Sequence, residues 1–124
     1  MNFVETKNAP SAIGPYSQAV AVNGILYTSG QIALTPEGKF LNDSISIQTE
    51  QVLKNLGEVL KAGGSDFDKV IKTTIFLADM NDFIAVNSLY SKHFGFHKPA
   101  RSTVAVKTLP KNALVEIEAI AIIG

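Results

Sequence analysis

Two periodicities take turns along this chain. Residues 18–22 and 25–29 are short β-prone runs separated by Asn23-Gly24. That dipeptide accepts positive φ at both positions of a tight turn and predicts a hairpin. Ahead of it, residues 1–15 carry Pro10, Gly14 and Pro15 and read as an irregular arm. Behind it, Thr35-Pro36-Glu37-Gly38 predicts a turn, with a short third strand near Gly38 to Leu41. From about Ser44 the spacing lengthens. Ile45, Val52, Leu53, Leu56, Val59 and Leu60 fall on one helical face, with caps at 42–44 and a stop at Gly63-Gly64. Val70 to Ala78 is rich in β-branched residues and predicts a strand. On it, Ile71, Ile75 and Leu77 line one side, and Val70, Lys72, Thr74 and Phe76 the other. A second helix is predicted from about Asn81 to Phe94, with Phe83, Val86, Tyr90 and Phe94 inward. Strands at about 102–108 and 113–122 finish the chain.

The order β-β-(β)-α-β-α-β-β predicts an α+β fold, a mixed sheet with two helices packed on one face. On the last strand Val115, Ile117, Ala119 and Ala121 form an apolar face suited to lie under the helices. Glu116, Glu118 and Ile120 point the other way, onto a face shared with Phe76. That half-apolar face needs cover, and self-association supplies it, so a homo-oligomer is expected.

Composition narrows the function. The 124 residues predict a single domain, 1–124, and 46% apolar residues supply a core. Eleven basic side chains balance eleven acidic ones, which disfavours a nucleic-acid partner. Cysteine is absent, which removes disulfides, thiolate metal sites and thiol nucleophiles. Neither a secretory leader nor a membrane-spanning run is evident, so a soluble, cytoplasmic protein is expected.

The residues able to carry chemistry cluster late in the chain. Arg101 stands at a strand entrance and reads either as a solvent-facing loop arginine or as a clamp for a carboxylate. Glu116 interrupts an apolar strand and reads either as an edge-strand surface acid or as a proton carrier raised by its apolar neighbours. Ser29-Gly30-Gln31 ends the second strand, where a glycine permits either a bulge or the close approach of a ligand to backbone N–H groups. Tyr16 anchors the arm or lies over a pocket. Asn87, beside Val86 and Tyr90, is a structural hydrogen-bonder or a ligand contact. His93 and His97 lack a third ligand, so no metal is expected. Neither a hydrolase triad nor a phosphate-binding glycine loop is present, and no cofactor is expected.

Together these segments resemble the RidA/YjgF family of enamine/imine deaminases. The resemblance rests on Gly14-Pro15-Tyr16-Ser17-Gln18-Ala19, on Leu26-Tyr27-Thr28-Ser29-Gly30-Gln31-Ile32, and above all on Pro99-Ala100-Arg101-Ser102-Thr103-Val104 with Lys107, Leu109 and Val115-Glu116-Ile117. It implies a homotrimer of chorismate-mutase-like subunits with active sites in the clefts between them. It also implies roles: Arg101 for the substrate carboxylate, Glu116 for the attacking water, and Tyr16, Ser29, Gly30 and Asn87 to line the cleft. Many members of the family carry cysteine where this chain has Thr103; if this residue contacts ligand through its backbone the exchange is tolerated, and if a thiol is needed it is not, the first being more consistent with hydrolysis that forms no covalent intermediate. The implied substrates are 2-aminoacrylate and 2-iminobutyrate, hydrolysed to 2-keto acids and ammonia. Two other classes stand beside this one: a trimeric binder or sensor of 2-keto acids, and a ribonuclease or translation inhibitor.

One expectation conflicts with the shared site. If the last two strands form a hairpin across the Pro110 turn, Arg101 lies opposite a residue near Ala121, about 16 Å along the strand from Glu116. Either those strands are not neighbours, or a bend closes the gap, or the groups meet across subunits.

Overall fold

The computed structural model covers residues 1–124. Six strands form one mixed sheet: β1 (Asn2–Val4), β2 (Ala19–Val22), β3 (Ile25–Thr28), β4 (Val70–Leu77), β5 (Ala100–Ala105) and β6 (Val115–Ile122). Their spatial order is β1-β2-β3-β6-β4-β5. Helices α1 (Ile45–Ala62) and α2 (Phe83–Phe94) pack on each other, and α1 lies over β6 and β3.

Local chemistry sets each element. Asn23 (φ 51°) and Gly24 (φ 77°) turn β2 into β3, as the dipeptide predicts. Ser44 caps α1 by accepting the Ile47 N–H, and the N–H of Gly63 closes the other end on α1 carbonyls. Val52, Leu53, Leu56, Val59 and Leu60 are fully buried against Val115, Ile117, Ala119 and Ala121 of β6. Truncating one such leucine costs about 2–5 kcal/mol. Buried polar residues on α1 tie down loops. Asn55 donates to the carbonyls of Ile32 and Leu34, and Gln48 accepts the Leu114 N–H.

The structure corrects several expectations. The arm begins with a strand, because Asn2–Val4 pairs with β2. The expected strand near 38–41 is only a single bridge between Leu34 and Phe40. β5 starts at Ala100 and ends at Ala105, short of 108, and β6 starts at Val115. At the start of β4 the register shifts between Val70 and Lys72, which buries Val70 and leaves Ile71 exposed. A bulge of this kind flips the faces on either side of it.

Of the three arrangements left open for the last two strands, the structure shows the first. They are not ladder neighbours. β4 lies between them, antiparallel to β6 and parallel to β5. The unit β4-α2-β5 is a crossover, in which a helix carries the chain back to start a parallel strand. β5 is therefore a sheet edge, with one row of backbone groups unpaired.

Candidate functional site

The crossover places Arg101 opposite Thr73, while Glu116 lies opposite Phe76. Thr73 is fully buried under the helices. Arg101 shares its face and turns to α2. Glu116 alternates with the buried Val115 and Ile117 and so projects from the other face. Within one chain the two residues stand on opposite sides of the sheet.

On the helix side, Arg101 Nη1 donates to Asn87 Oδ1 at 2.8 Å. Its guanidinium carbon lies 4.8 Å from the Tyr90 ring centroid and 5.4 Å from that of Phe83. Phe83, Asn87 and Tyr90 recur at i, i+4 and i+7, on one stripe of α2. The ion pairs of the chain are Lys61–Glu58 and His93–Glu50, and neither involves Arg101. The guanidinium is thus half-buried and held by neutral groups, with its charge unmatched. It lines a cavity of about 460 Å³ with Asn87, Tyr90, His97 and Lys98, and no carboxylate lines it. Thr103 follows two residues on, on the same side of the edge strand and half-buried.

On the open side, Glu116 lines a cavity of about 340 Å³ with Tyr16, Gly30, Gln31 and Lys111. Burial, and then the neighbouring charge of Glu118, holds its carboxyl above the usual glutamate range. Gly30 leaves room for this carboxylate: a Cβ on it would stand 2.4 Å from Glu116 Oε2 and force that side chain aside. The Gly30 N–H makes no hydrogen bond within the chain, whereas those of Ser29 and Gln31 bond to Gln18 and Ile117 carbonyls. A free donor therefore sits beside a carboxylate of raised proton affinity. Ser29 does not line this cavity; its hydroxyl donates to the Ser17 carbonyl at 2.5 Å and pins the arm to β3. Tyr16 is 56% exposed at the cavity wall.

Gln18 is a contributor that sequence reading missed as a functional residue. It is buried, accepts the Thr6 N–H and donates to the carbonyls of Thr6 and Pro10. These bonds fold the arm back over β2 and form one wall of the Glu116 cavity. A glutamine next to a glycine-proline arm is the only signal for that role in the sequence.

A broader groove of about 620 Å³ over the helices is lined by Glu50, Lys54, Glu58, Lys61 and His93. Two of its basic groups face acids within it: His93 Nε2 lies 3.2 Å from Glu50 Oε2, and Lys61 pairs with Glu58 at 4.0 Å. None of the candidate residues reaches it. No group of three or more metal-binding side chains occurs, and no helix is long and apolar enough to cross a membrane.

Fold and site define an α+β protein with an unmatched arginine on one face of its sheet and, on the other, a glutamate whose proton affinity is raised. Comparison with known proteins gives the family. The family model described as endoribonuclease L-PSP matches residues 6–123. Reactive Intermediate Deaminase A, chloroplastic, of Arabidopsis thaliana is 56% identical over 119 residues, spanning 95% of this chain and 64% of that protein. The 2-iminobutanoate/2-iminopropanoate deaminase of Homo sapiens is 49% identical over 122 residues, spanning 98% of this chain and 89% of that one. The E. coli TdcF structure with bound serine superimposes with a TM-score of 0.94 at 39% identity, over all of both chains. The chain belongs to the RidA/YjgF family.

Proposed function

We propose that this protein is an enamine/imine deaminase, a 2-iminobutanoate/2-iminopropanoate deaminase that converts 2-imino acids and their enamine tautomers to 2-keto acids and ammonia. The observation that carries this reading is the half-buried Arg101, whose charge no acid of its own chain matches. A guanidinium held in this way takes a carboxylate through two parallel N–H donors. The names of the Arabidopsis and human relatives point to the same chemistry. The bound serine of TdcF is an amino acid of the size required.

The site is completed between subunits of a homotrimer. Arg101 and Glu116 of one chain face away from each other, so a small acid reaches both only where two chains meet. The free edge of β5 and the half-apolar open face are the surfaces available for that contact. One subunit supplies Arg101, Asn87 and Thr103, and its neighbour supplies Glu116, Gly30, Tyr16 and the arm held by Ser29.

In this assembly Arg101 fixes the carboxylate, and the imine carbon comes to rest near Glu116. Glu116 takes a proton from water as the water oxygen adds to the carbon of the N-protonated imine. It gives that proton to the nitrogen of the resulting neutral carbinolamine. The carbon–nitrogen bond breaks, ammonia leaves, and the hydroxyl proton passes to the Glu116 carboxylate, and from there to solvent, as the ketone forms. A carboxyl whose proton affinity is raised by burial suits both transfers. The Gly30 N–H is placed to donate to the oxygen or nitrogen as charge shifts. Positioned acid–base help of this kind contributes about 10²–10⁴-fold.

The test follows the imine directly. A serine or threonine dehydratase generates the enamine and imine, and its decay is read by absorbance with and without the protein. The reading expects faster decay and matching ammonia release. Equal decay with and without the protein, together with measurable 2-oxobutanoate binding, would favour a keto-acid binder instead.

A further inference from the structure

Arg101 does not hold its own position. It is the second residue of a sheet-edge strand, and the only hydrogen bond its side chain makes within the chain goes to Asn87. A long side chain at such an edge is costly to order, with about 2 kcal/mol of rotamer entropy to lose. The order comes from α2. The guanidinium lies in a notch flanked by the Phe83 and Tyr90 rings, with Asn87 between them.

Tyr90 is itself fixed from two sides. Its hydroxyl shares a buried 2.6 Å hydrogen bond with Thr73, the residue directly across from Arg101 on β4. Its ring stacks on Phe94, with centroids 4.2 Å apart, and Phe94 meets Phe67 edge-on at 5.0 Å. Burial pushes the phenol above its ordinary value, and the Thr73 bond and the Arg101 charge offset part of that rise. The ring therefore stays neutral at physiological pH.

Neutrality matters because of what the arginine must do. An acid in this notch would take the fork that a ligand needs. A ring face attracts the cation through its quadrupole and leaves the N–H donors unoccupied. Of the five donors on a guanidinium, the chain uses one.

We propose that Phe83 and Tyr90 are positioning residues that orient Arg101 as a carboxylate clamp, and that Asn87 acts with them by fixing the rotation of the guanidinium. This rests on the deaminase reading for the identity of the ligand, but not for the existence of the clamp. Phe83 and Tyr90 touch the arginine rather than the reacting atoms. Their loss raises KM and leaves kcat nearly unchanged. Phe94 acts one step further back, through the Tyr90 ring it stacks on.

The test uses the assembled protein and two probes, 2-oxobutanoate and its uncharged amide, titrated by calorimetry. Tyr90→Leu and Phe83→Leu are expected to weaken binding of the acid about five- to thirty-fold and to leave the amide unchanged. Tyr90→Phe keeps the ring and is expected to bind the acid within about two-fold of wild type. Should Tyr90→Leu fail to fold, Phe83→Leu carries the same comparison, because Phe83 is only half-buried. Equal losses for acid and amide, or an unchanged affinity for the acid, overturn the proposal. So does a wild type with no affinity for the acid. A wild type that binds the acid in this pattern yet releases no ammonia from the imine leaves the clamp standing and sinks the deaminase reading.

Discussion

Around Arg101 the contacts come from side chains: two rings and an amide on one stripe of α2. Around Glu116 they come from the main chain: the missing Cβ of Gly30, its free N–H, and an arm pinned through the Ser17 carbonyl. The two regions also treat charge in opposite ways. The cation is given neutral partners, so its charge is available. The acid is buried beside a second acid, so its proton affinity is raised. A binding group needs its charge unspent, whereas a proton carrier needs its proton affinity lifted toward the working pH. Within one chain the two regions do not meet, because they occupy opposite faces of one sheet.

The comparison can be broken first at the cation. Arg101→Ala removes the fork and is expected to lower kcat/KM by about 10²–10³-fold, the range for truncating one partner of a buried charge pair. Steady-state kinetics with the dehydratase-coupled imine measure it. Binding of 2-oxobutanoate is expected to disappear in the same variant.

Glu116→Gln breaks the acid half and leaves the other intact. It is expected to lower kcat by about 10²-fold while 2-oxobutanoate still binds. The pH profile sharpens this. With the folded value raised, activity in wild type grows as pH rises through a window above the ordinary glutamate value, and this limb is lost in Glu116→Gln. Stability runs the other way. The folded chain binds that proton more tightly than the unfolded one, so stability falls as pH rises through the same window. Thermal melts across pH are expected to be flatter for Glu116→Gln, with no loss of Tm at neutral pH.

Gly30→Ala tests the main-chain character of the acid half. Its Cβ would press on Glu116 Oε2 at 2.4 Å, and that carboxylate must swing away. A fall in kcat of about ten-fold is expected with the affinity for 2-oxobutanoate retained. The smallest effect lies outside both regions. Thr49 Oγ1 is buried on α1 without a partner, so Thr49→Val is expected to leave activity unchanged and to hold or raise Tm by up to about 4 °C.

The sequence carried the local parts of this account. The Asn23-Gly24 turn, both helices and the faces of β6 follow from short-range periodicity, and Glu116 stands on the face that alternation assigns it. Three residues of β1 are too few to show a period and were hidden in a proline-containing arm. The bulge at Ile71 reversed a face because the extra residue leaves no mark in the pattern of β-branched side chains. The insertion of β4 between β5 and β6 is a long-range pairing that the turn at Pro110 gives no hint of. For the site the same boundary applies. Arg101, Glu116 and Gly30 were visible as residue types in telling places. That Arg101 and Glu116 face apart depends on a parallel register no local signal encodes, and so does the notch on α2 that receives the arginine.

The central claim is that each site joins the arginine of one subunit to the glutamate of another, and mixing two inactive variants tests it most directly. Arg101→Ala and Glu116→Gln subunits are unfolded together, refolded as a mixture and assayed against the imine. In a ring of such interfaces about one in four pairs two intact residues, so roughly a quarter of wild-type activity is expected to return. A mixture no more active than its separately refolded parents would show that both residues serve one site within a single chain, and would contradict the account.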